Sequence, residues 1–327
     1  MGVYHSGSRA VQDRVGVRDL ADHMGRAIGE GIRPVVAAFL ELQPLLVLGA
    51  ADPVDGRVWA SAFTGAPGFV RATGPRRISV ATGASRTSGG AGAPGGVEDS
   101  GGVEASRVSA GADGPLSADP LATALGTPGT PVGTIVLDPR TRRRLRLNGR
   151  LRPTPRGFAV ETDRVFANCP RYLQRRAAYE TVDRTPGSPR RGAELTAGQR
   201  DFVTASDTFF LATVHPGGTG AEVGHRGGGP GFVHVTSPRT LAWRDYPGNS
   251  MFLTLGNLAA DPRAGLLFLD WTTGRTLQLT GEARTRFAPD GERTVLFTVA
   301  EAVDTPSALP LRWSAPEYSP ANPDPTR

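Results

Sequence analysis

Apolar positions along this chain fall into short runs separated by turns, not into long helical stripes. PLLVLGA (44–50), GTIVL (133–137), TFFLATV (208–214) and GLLFL (265–269) are each of strand length, β-branched or aromatic in part, and bounded by Gly, Pro or Asp. Two stretches depart from that pattern. Leu20, Met24 and Ile28 recur at i, i+4 and i+8, which predicts one amphipathic helix over 8–28. Phe252, Leu255 and Ala259 predict a second helix after the turn Pro247-Gly248-Asn249-Ser250, with Asn249 or Ser250 as its cap and Pro262 ending it at Asp261. Many short strands with few helices favour a mainly β fold, β-barrels with accessory helices, over alternating βαβ units.

The runs occur twice. An offset of 163 places Phe39 on Phe202, Leu48 on Leu211, Pro53 on Pro216 and Pro67-Gly68-Phe69-Val70 on Pro230-Gly231-Phe232-Val233 without a gap. Further on the offset is 132, matching Gly133 to Gly265, Asp138 to Asp270, Arg143 to Arg275, Leu145 to Leu277, Leu147 to Leu279 and Gly149 to Gly281. The difference, 163 − 132 = 31, is a net insertion in the first copy, and the Gly/Ser/Ala-rich stretch at about 82–118 has the composition of a disordered loop. Its Gly90, Gly92 and Gly95 spell GxGxxG, but no strand precedes them and no helix follows, so they are not read as a dinucleotide fingerprint. Pro186, Gly187 and Pro189 mark a linker. The expected domains are therefore 1–185 and 186–327.

Composition narrows the chemistry. All 37 basic residues are Arg, which excludes a lysine Schiff base and a P-loop lysine. The net charge of +6 is modest for 327 residues and implies no nucleic-acid partner by itself. A single cysteine, Cys169, excludes an internal disulfide framework and fits a reducing compartment. With no apolar run of membrane-spanning length and no apolar signal core at the N-terminus, a cytoplasmic protein without a membrane partner is expected.

Candidate chemistry concentrates between Gly224 and Gly281. The loop Gly227–Gly231 can present bare backbone N–H groups to an anion, Arg226 adds a fixed charge beside it, and the polar turn at Asn249 and Ser250 opens a helix. Together they suggest a phosphate seat, with ordinary turns and a helix cap as the competing reading. The order of PGFV, DYPGN and LGNLAADPRAGLLF resembles the pyridoxamine 5'-phosphate oxidase-like flavin-binding proteins, which are FMN-binding split barrels. Within them the chain is most similar to the branch carrying HRGG-x-PGFV, here His225 to Val233. YHSG near the start, TRRR-x-RLNG and NCPRYLQ extend the likeness over the first half.

That resemblance implies tandem split barrels forming a covalent pseudo-dimer, FMN as cofactor and an oxidoreductase acting on a small molecule. NAD(P)H or a separate flavin reductase is the expected electron source, and homodimerisation remains open. A flavin-storage protein is the alternative, and a polyanion or nucleic-acid surface on TRRRLRLNGRLRPTPR the more distant one. The implied cofactor residues are Arg226, Gly231, Phe232, Val233, Asn249, Ser250 and Asn257, with Arg143, Arg144 and Arg275 as further cations. The lysine that pyridoxamine phosphate oxidases proper hold near the cofactor phosphate is missing, so their substrate specificity is not carried over.

Strand alternation puts Arg143 and Arg275 on the faces of Leu145 and Leu277, where a carboxylate such as Asp138 or Asp270, or else a ligand phosphate, should meet them. Arg142, Arg144 and Arg146 share the opposite face and are read as a solvated edge or as part of the phosphate's surroundings. His225 and His234 flank the glycine loop and could move protons, or could simply be hydrogen-bonded. The five histidines show no metal-ligand spacing, and Cys169 has no visible base, so it is read as structural. In the first copy Ala62-Phe63 stands where the second has His225-Arg226, so one cofactor site per chain is expected.

Overall fold

The structure is a computed structural model and describes residues 3–82 and 118–323. Nearly all of the Gly/Ser-rich insertion, including the GxGxxG glycines, lies outside the described residues. Helices α1 (Ser6–Val15), α2 (Arg18–Gly25) and α3 (Pro34–Glu41) lead into strands β1 (Leu45–Ala51), β2 (Val58–Thr64), β3 (Val70–Gly74) and β4 (Arg77–Ala81). A short helix α4 (Ala122–Gly126) precedes β5 (Pro131–Asp138), β6 (Arg143–Thr154) and β7 (Gly157–Ala167). After the small strands β8 (Arg175–Arg176), β9 (Tyr179–Thr181) and β10 (Arg190–Gly192), helix α5 (Ala197–Ala205) opens the second half. There follow β11 (Thr208–Val214), β12 (Ala221–Gly227), β13 (Val233–Ser237), β14 (Thr240–Arg244), helix α6 (Leu253–Ala260), β15 (Arg263–Leu269), β16 (Thr276–Phe287) and β17 (Arg293–Thr305). Strands β18 (Leu311–Trp313) and β19 (Pro316–Glu317) turn back to pair with β9 and β8.

The fold is mainly β, and its two large antiparallel sheets share one strand order. The first runs β2-β1-β5-β6-β7-β4-β3 and the second β12-β11-β15-β16-β17-β14-β13, with β10 added beside β17. Local irregularities recur as well. Register shifts fall between Asn148 and Gly149 and between Thr280 and Gly281. A Cβ on Gly149 would lie 1.8 Å from the Glu161 carbonyl oxygen, and one on Gly281 would lie 1.9 Å from that of Thr298. Glycine is therefore required where each long hairpin bulges.

Each sheet buries its own core, and the sheets also bury a face against each other. Val47 and Ile135 of the first half pack with Phe210 and Leu267 of the second. The approach is close enough to demand glycines, since a Cβ on Gly133 would lie 2.4 Å from Glu222 Cα and one on Gly265 would lie 2.6 Å from the Val58 carbonyl oxygen. Strands buried on both faces read as continuous apolar runs, which is why the segments around Leu46 and Phe209 show so little alternation.

The N-terminal segment departs from the single helix predicted over 8–28. Gly16 adopts φ 72°, and the amides of Gly16 and Val17 close on the carbonyls of Asp13 and Gln12, which ends α1 and starts α2 in a new direction. Helix α1 then packs on α6: Val11 joins the second core, Gln12 donates to the Met251 carbonyl at 2.9 Å, and Gly7 is so close to Gly256 that a Cβ would sit 2.3 Å from its oxygen. The second expected helix exists as α6 but begins without a polar cap. Phe252 holds the capping position at φ 52° and Ser250 has φ 58°, while the Asn249 side chain spends its oxygen on the Met251 amide at 3.2 Å. Two non-glycine residues in left-handed conformation within three positions is the kind of local strain that accompanies functional sites.

Candidate functional site

The cleft that gathers the charged residues lies between the halves, where β6 and the segment after β7 face β12 and the end of β14. On β6, Leu145 and Leu147 point into the first core, so alternation sends Arg144 and Arg146 the other way, toward the second half. Arg226 on β12 joins them. Gly224 makes the room, because a Cβ there would stand 2.6 Å from one Arg146 guanidinium nitrogen and 3.5 Å from one of Arg226. The empty volume is about 630 Å³, part of it open to solvent, within the range of small-molecule sites.

Three guanidinium groups share this space with too few carboxylates. Arg146, 6% exposed, has Glu222 at 3.7 Å, but Glu222 also serves Arg164 at 3.8 Å and His215 at 3.5 Å. Arg226 has Asp245 at 3.6 Å, and Asp245 is held more closely by Arg293 at 3.1 Å. Among the described residues Arg144 has no carboxylate within ion-pair distance; it donates to His225 Nδ1 at 2.8 Å and to the Cys169 carbonyl. Burial, with Arg146 and Arg226 adding like charge, pulls the Arg144 pKa down to about 9. Burial, only partly countered by Glu222, brings Arg146 to about 10.

Burial and the same three arginines push His225 well below the ordinary imidazole range, so it is neutral at physiological pH. Because Nδ1 accepts from Arg144, the proton resides on Nε2. That Nε2, the Nε atoms of Arg144, Arg146 and Arg226, and Trp243 Nε1 are all buried without a protein partner. Unpaired buried donors are costly, and these five converge on one cleft. Its apolar side is Phe232 and Trp243, while Tyr172 and Tyr246, 5.1 Å apart, stand beside it. The arrangement suits an anion joined to a flat apolar group.

Residues 195–310 match the family model described as pyridoxamine 5'-phosphate oxidase. That stretch, within the second half, is pyridoxamine 5'-phosphate oxidase-like. Similar solved structures include HupZ from Group A Streptococcus, at 12% identity over 32% of this chain and 89% of that one with a TM-score of 0.26. A protein of the pyridoxinephosphate oxidase family from Clostridium acetobutylicum shares 12% identity over 31% and 82%, with a TM-score of 0.24. The FAD binding protein from Mycobacterium smegmatis shares 15% over 36% and 98%, with a TM-score of 0.25. No curated protein matches the sequence.

The structure collects some of the expected site residues and disperses others. Arg144, Arg226, Phe232 and Asn249 line the cleft, and Ser250 lines an adjoining hollow that shares Arg146, Asn168 and Arg226 with it and reaches the start of α6. Gly231 and Val233 do not. Most of the glycine loop's amides are not free for an anion, because Gly228 donates to the Asp207 carbonyl, Gly231 to that of Thr204, and Pro230 has no N–H. Gly231 supplies φ 87° for that turn, and Val233 is core. Asn257 is buried away from the cleft, donating to Thr213 Oγ1 at 2.9 Å and accepting from His5 Nε2 at 2.8 Å.

The other two arginines part ways. Arg275 is tied to Asp304, not Asp270, with contacts of 2.8 and 2.7 Å, and lies over the Phe202 ring. Arg143 lies over the Phe39 ring outside the cleft, while Asp138 is engaged by Arg140 at 2.8 Å. A solvated stripe along β6 is also absent: Arg144 and Arg146 are turned into the cleft, and Arg142 is bonded to the Leu173 carbonyl at 3.0 Å. Cys169 lines the cleft and contributes its carbonyl to Arg144.

Asn168, Tyr172 and Asp245 line the cleft without having been singled out in the sequence, and Arg146 entered there only as one of three arginines on a shared strand face. For Arg146 a signal existed: a strand central enough to carry Leu145, Leu147 and Leu151 in the core has little exposed face to offer, so its alternating arginines must be buried against something.

Proposed function

We propose that this protein is an FMN-dependent oxidoreductase acting on a small molecule, with one cofactor site per chain in the cleft between the halves. The observation that carries this is the convergence of Arg144, Arg146 and Arg226, buried and short of carboxylates, beside the Phe232 and Trp243 rings. A phosphate dianion supplies the missing negative charge, and guanidinium forks match phosphate oxygens. The His225 Nε2–H and Trp243 Nε1–H are donors for the polar edge of a ring system. When bound, FMN supplies two-electron redox between a donor such as NAD(P)H and an acceptor. The chain's part is to hold the phosphate, wall off the ring and keep His225 neutral.

The same strand order in the two sheets supports reading the chain as tandem split barrels, 1–185 and 186–327, that form a pseudo-dimer in one polypeptide. Helix α1 nevertheless packs on the second half and bridges the two units. A polyanion surface is disfavoured, since Arg144 and Arg146, at the centre of the stripe it would use, are turned into the cleft, which leaves Arg143, Arg152 and Arg156 exposed but scattered.

FMN titration followed by flavin fluorescence tests the proposal. Saturation at one FMN per chain is expected, and Arg226→Ala should weaken binding by about 1.5–3 kcal/mol, the range for hydrogen bonds to a charged group. Failure to bind FMN, or two equal sites, would overturn it. Anaerobic bleaching of bound flavin by NAD(P)H, followed by reoxidation with an acceptor, separates an oxidoreductase from a storage protein.

A further inference from the structure

The two halves carry the same unit, an arginine laid over a phenylalanine, with different outcomes. In the second half Arg275 stands 4.6 Å over the Phe202 ring and is neutralised by Asp304 from the neighbouring strand. In the first, Arg143 stands 4.9 Å over the Phe39 ring. Leu277 faces Asp304 across the β16–β17 pair just as Leu145 faces Ala167 across β6–β7, so Ala167 occupies the position of the carboxylate. Arg143 has kept its seat and lost its counterion.

That vacancy opens onto a large groove between the α2–α3 segment and strands β6 and β7, with an empty volume of about 1940 Å³ including its open mouth. Its floor is apolar, formed by Phe39, Leu145 and Val165 of the core with Ile32 and Val36 packed against them. Val35, 61% exposed, lies on the rim. Arg26, Arg33 and Arg143 are exposed along it, and among the described residues none of the three has a carboxylate within ion-pair distance. At one end the groove shares Arg144 and Asn168 with the cofactor cleft, and both Arg144 Nε and Asn168 Oδ1 are buried without partners.

We propose that this groove binds an amphipathic anion, a small molecule with an alkyl or aromatic body and a carboxylate or phosphate end, and that the substrate of the cleft belongs to this class. The assignment to the substrate rests on the redox reading above; the binding site stands on the groove itself. The apolar body lies along Phe39, Val36 and Val165, the acidic end meets Arg143 and Arg33 in place of the lost aspartate, and the far end points toward Arg144 and Asn168 at the junction.

Isothermal titration of the full chain with sodium dodecanoate below its micellar concentration, and with dodecyltrimethylammonium as a cation of equal chain length, tests the site. Saturable binding of dodecanoate is expected, with the ammonium compound at least about tenfold weaker. Arg33→Gln and Arg143→Gln, both exposed positions, should each weaken dodecanoate about fivefold to tenfold, the loss of one charge-assisted contact. FMN affinity should stay unchanged in both variants. Equal affinity for the anion and the cation, or dodecanoate binding indifferent to both substitutions, would overturn the proposal. Dodecanoate binding needs no FMN, so a failed FMN titration sinks the redox reading while leaving the groove intact, and a failed dodecanoate titration does the reverse.

Discussion

Two clefts of this molecule occupy matching places in the two halves and are lined by opposite chemistry. In one, Arg144 and Arg146 from β6 meet His225 and Arg226 from β12. In the other, Thr276 and Gln278 from β16 meet Ala62 and Phe63 from β2. The offsets of 132 and 163 map each residue of the second set onto one of the first. The uncharged cleft also holds Asp119, half-buried, bonded to the Ser61 hydroxyl at 2.6 Å and raised in pKa by desolvation. An acid held toward its neutral form replaces three cations. Sheet order, the hairpin bulges and the glycine pair Gly133 and Gly265 recur in both halves because packing demands them, whereas the matching cleft positions carry different side chains.

The comparison predicts equal behaviour where the fold sets the residue and unequal behaviour where the ligand does. The largest effects should come from the hairpin bulges. Gly149→Ala and Gly281→Ala each force a Cβ to within 2 Å of a backbone oxygen, and each should cost about 3 kcal/mol of stability. Chemical denaturation measures this, and a cost confined to one of the two would break the equivalence of the halves.

A pH series sharpens the other side. Arg144 has a folded pKa of about 9, lowered from its ordinary value, and a bound phosphate favours its charged form. FMN affinity should therefore hold below pH 9 and fall as pH rises through it, approaching about tenfold per pH unit for one coupled proton. The sign for the ligand-free protein is opposite. A cation with a depressed folded pKa costs stability while it stays charged, and that cost is relieved above pH 9. Thermal melts with and without FMN over pH 8–10 should therefore diverge in slope, and parallel curves would show that Arg144 does not face the ligand.

The smallest effect expected is none. Thr276 is the counterpart of Arg144, and Thr276→Val should leave FMN affinity within about 0.5 kcal/mol of the parent, the usual range for positions outside a binding feature. A larger loss would mean that the uncharged cleft takes part in binding the cofactor.

Much of this architecture was legible in the sequence because its signals are local or repeated. Short apolar runs marked the strands, and Gly149 against Gly281 or Phe39 against Phe202 recurred at fixed offsets. Arg226, Phe232 and Asn249, expected near one another, line one cleft. The misreadings share a cause, which is that a residue's free atoms are invisible until its neighbours are known. The glycine loop looked like an anion nest, yet its Gly228 and Gly231 amides are spent on Asp207 and Thr204. Arg275 looked like a cofactor cation until Asp304, 29 residues away, met it.

By itself, then, the sequence determined the strand-rich character of the chain, the recurrence of matched residues at offsets of 163 and 132, and the contrast between Ala62-Phe63 and His225-Arg226, since composition, period and offset are properties of the chain alone. Only the tertiary structure decided which arginines are short of partners. Arg143, Arg144, Arg146 and Arg275 are the same side chain on equivalent or adjacent strand positions, and their fates depend on whether the facing strand carries Asp304, Ala167, Glu222 or His225. Charge balance in a cleft is a sum over strands brought together from opposite ends of the chain, and no window of sequence contains all of its terms.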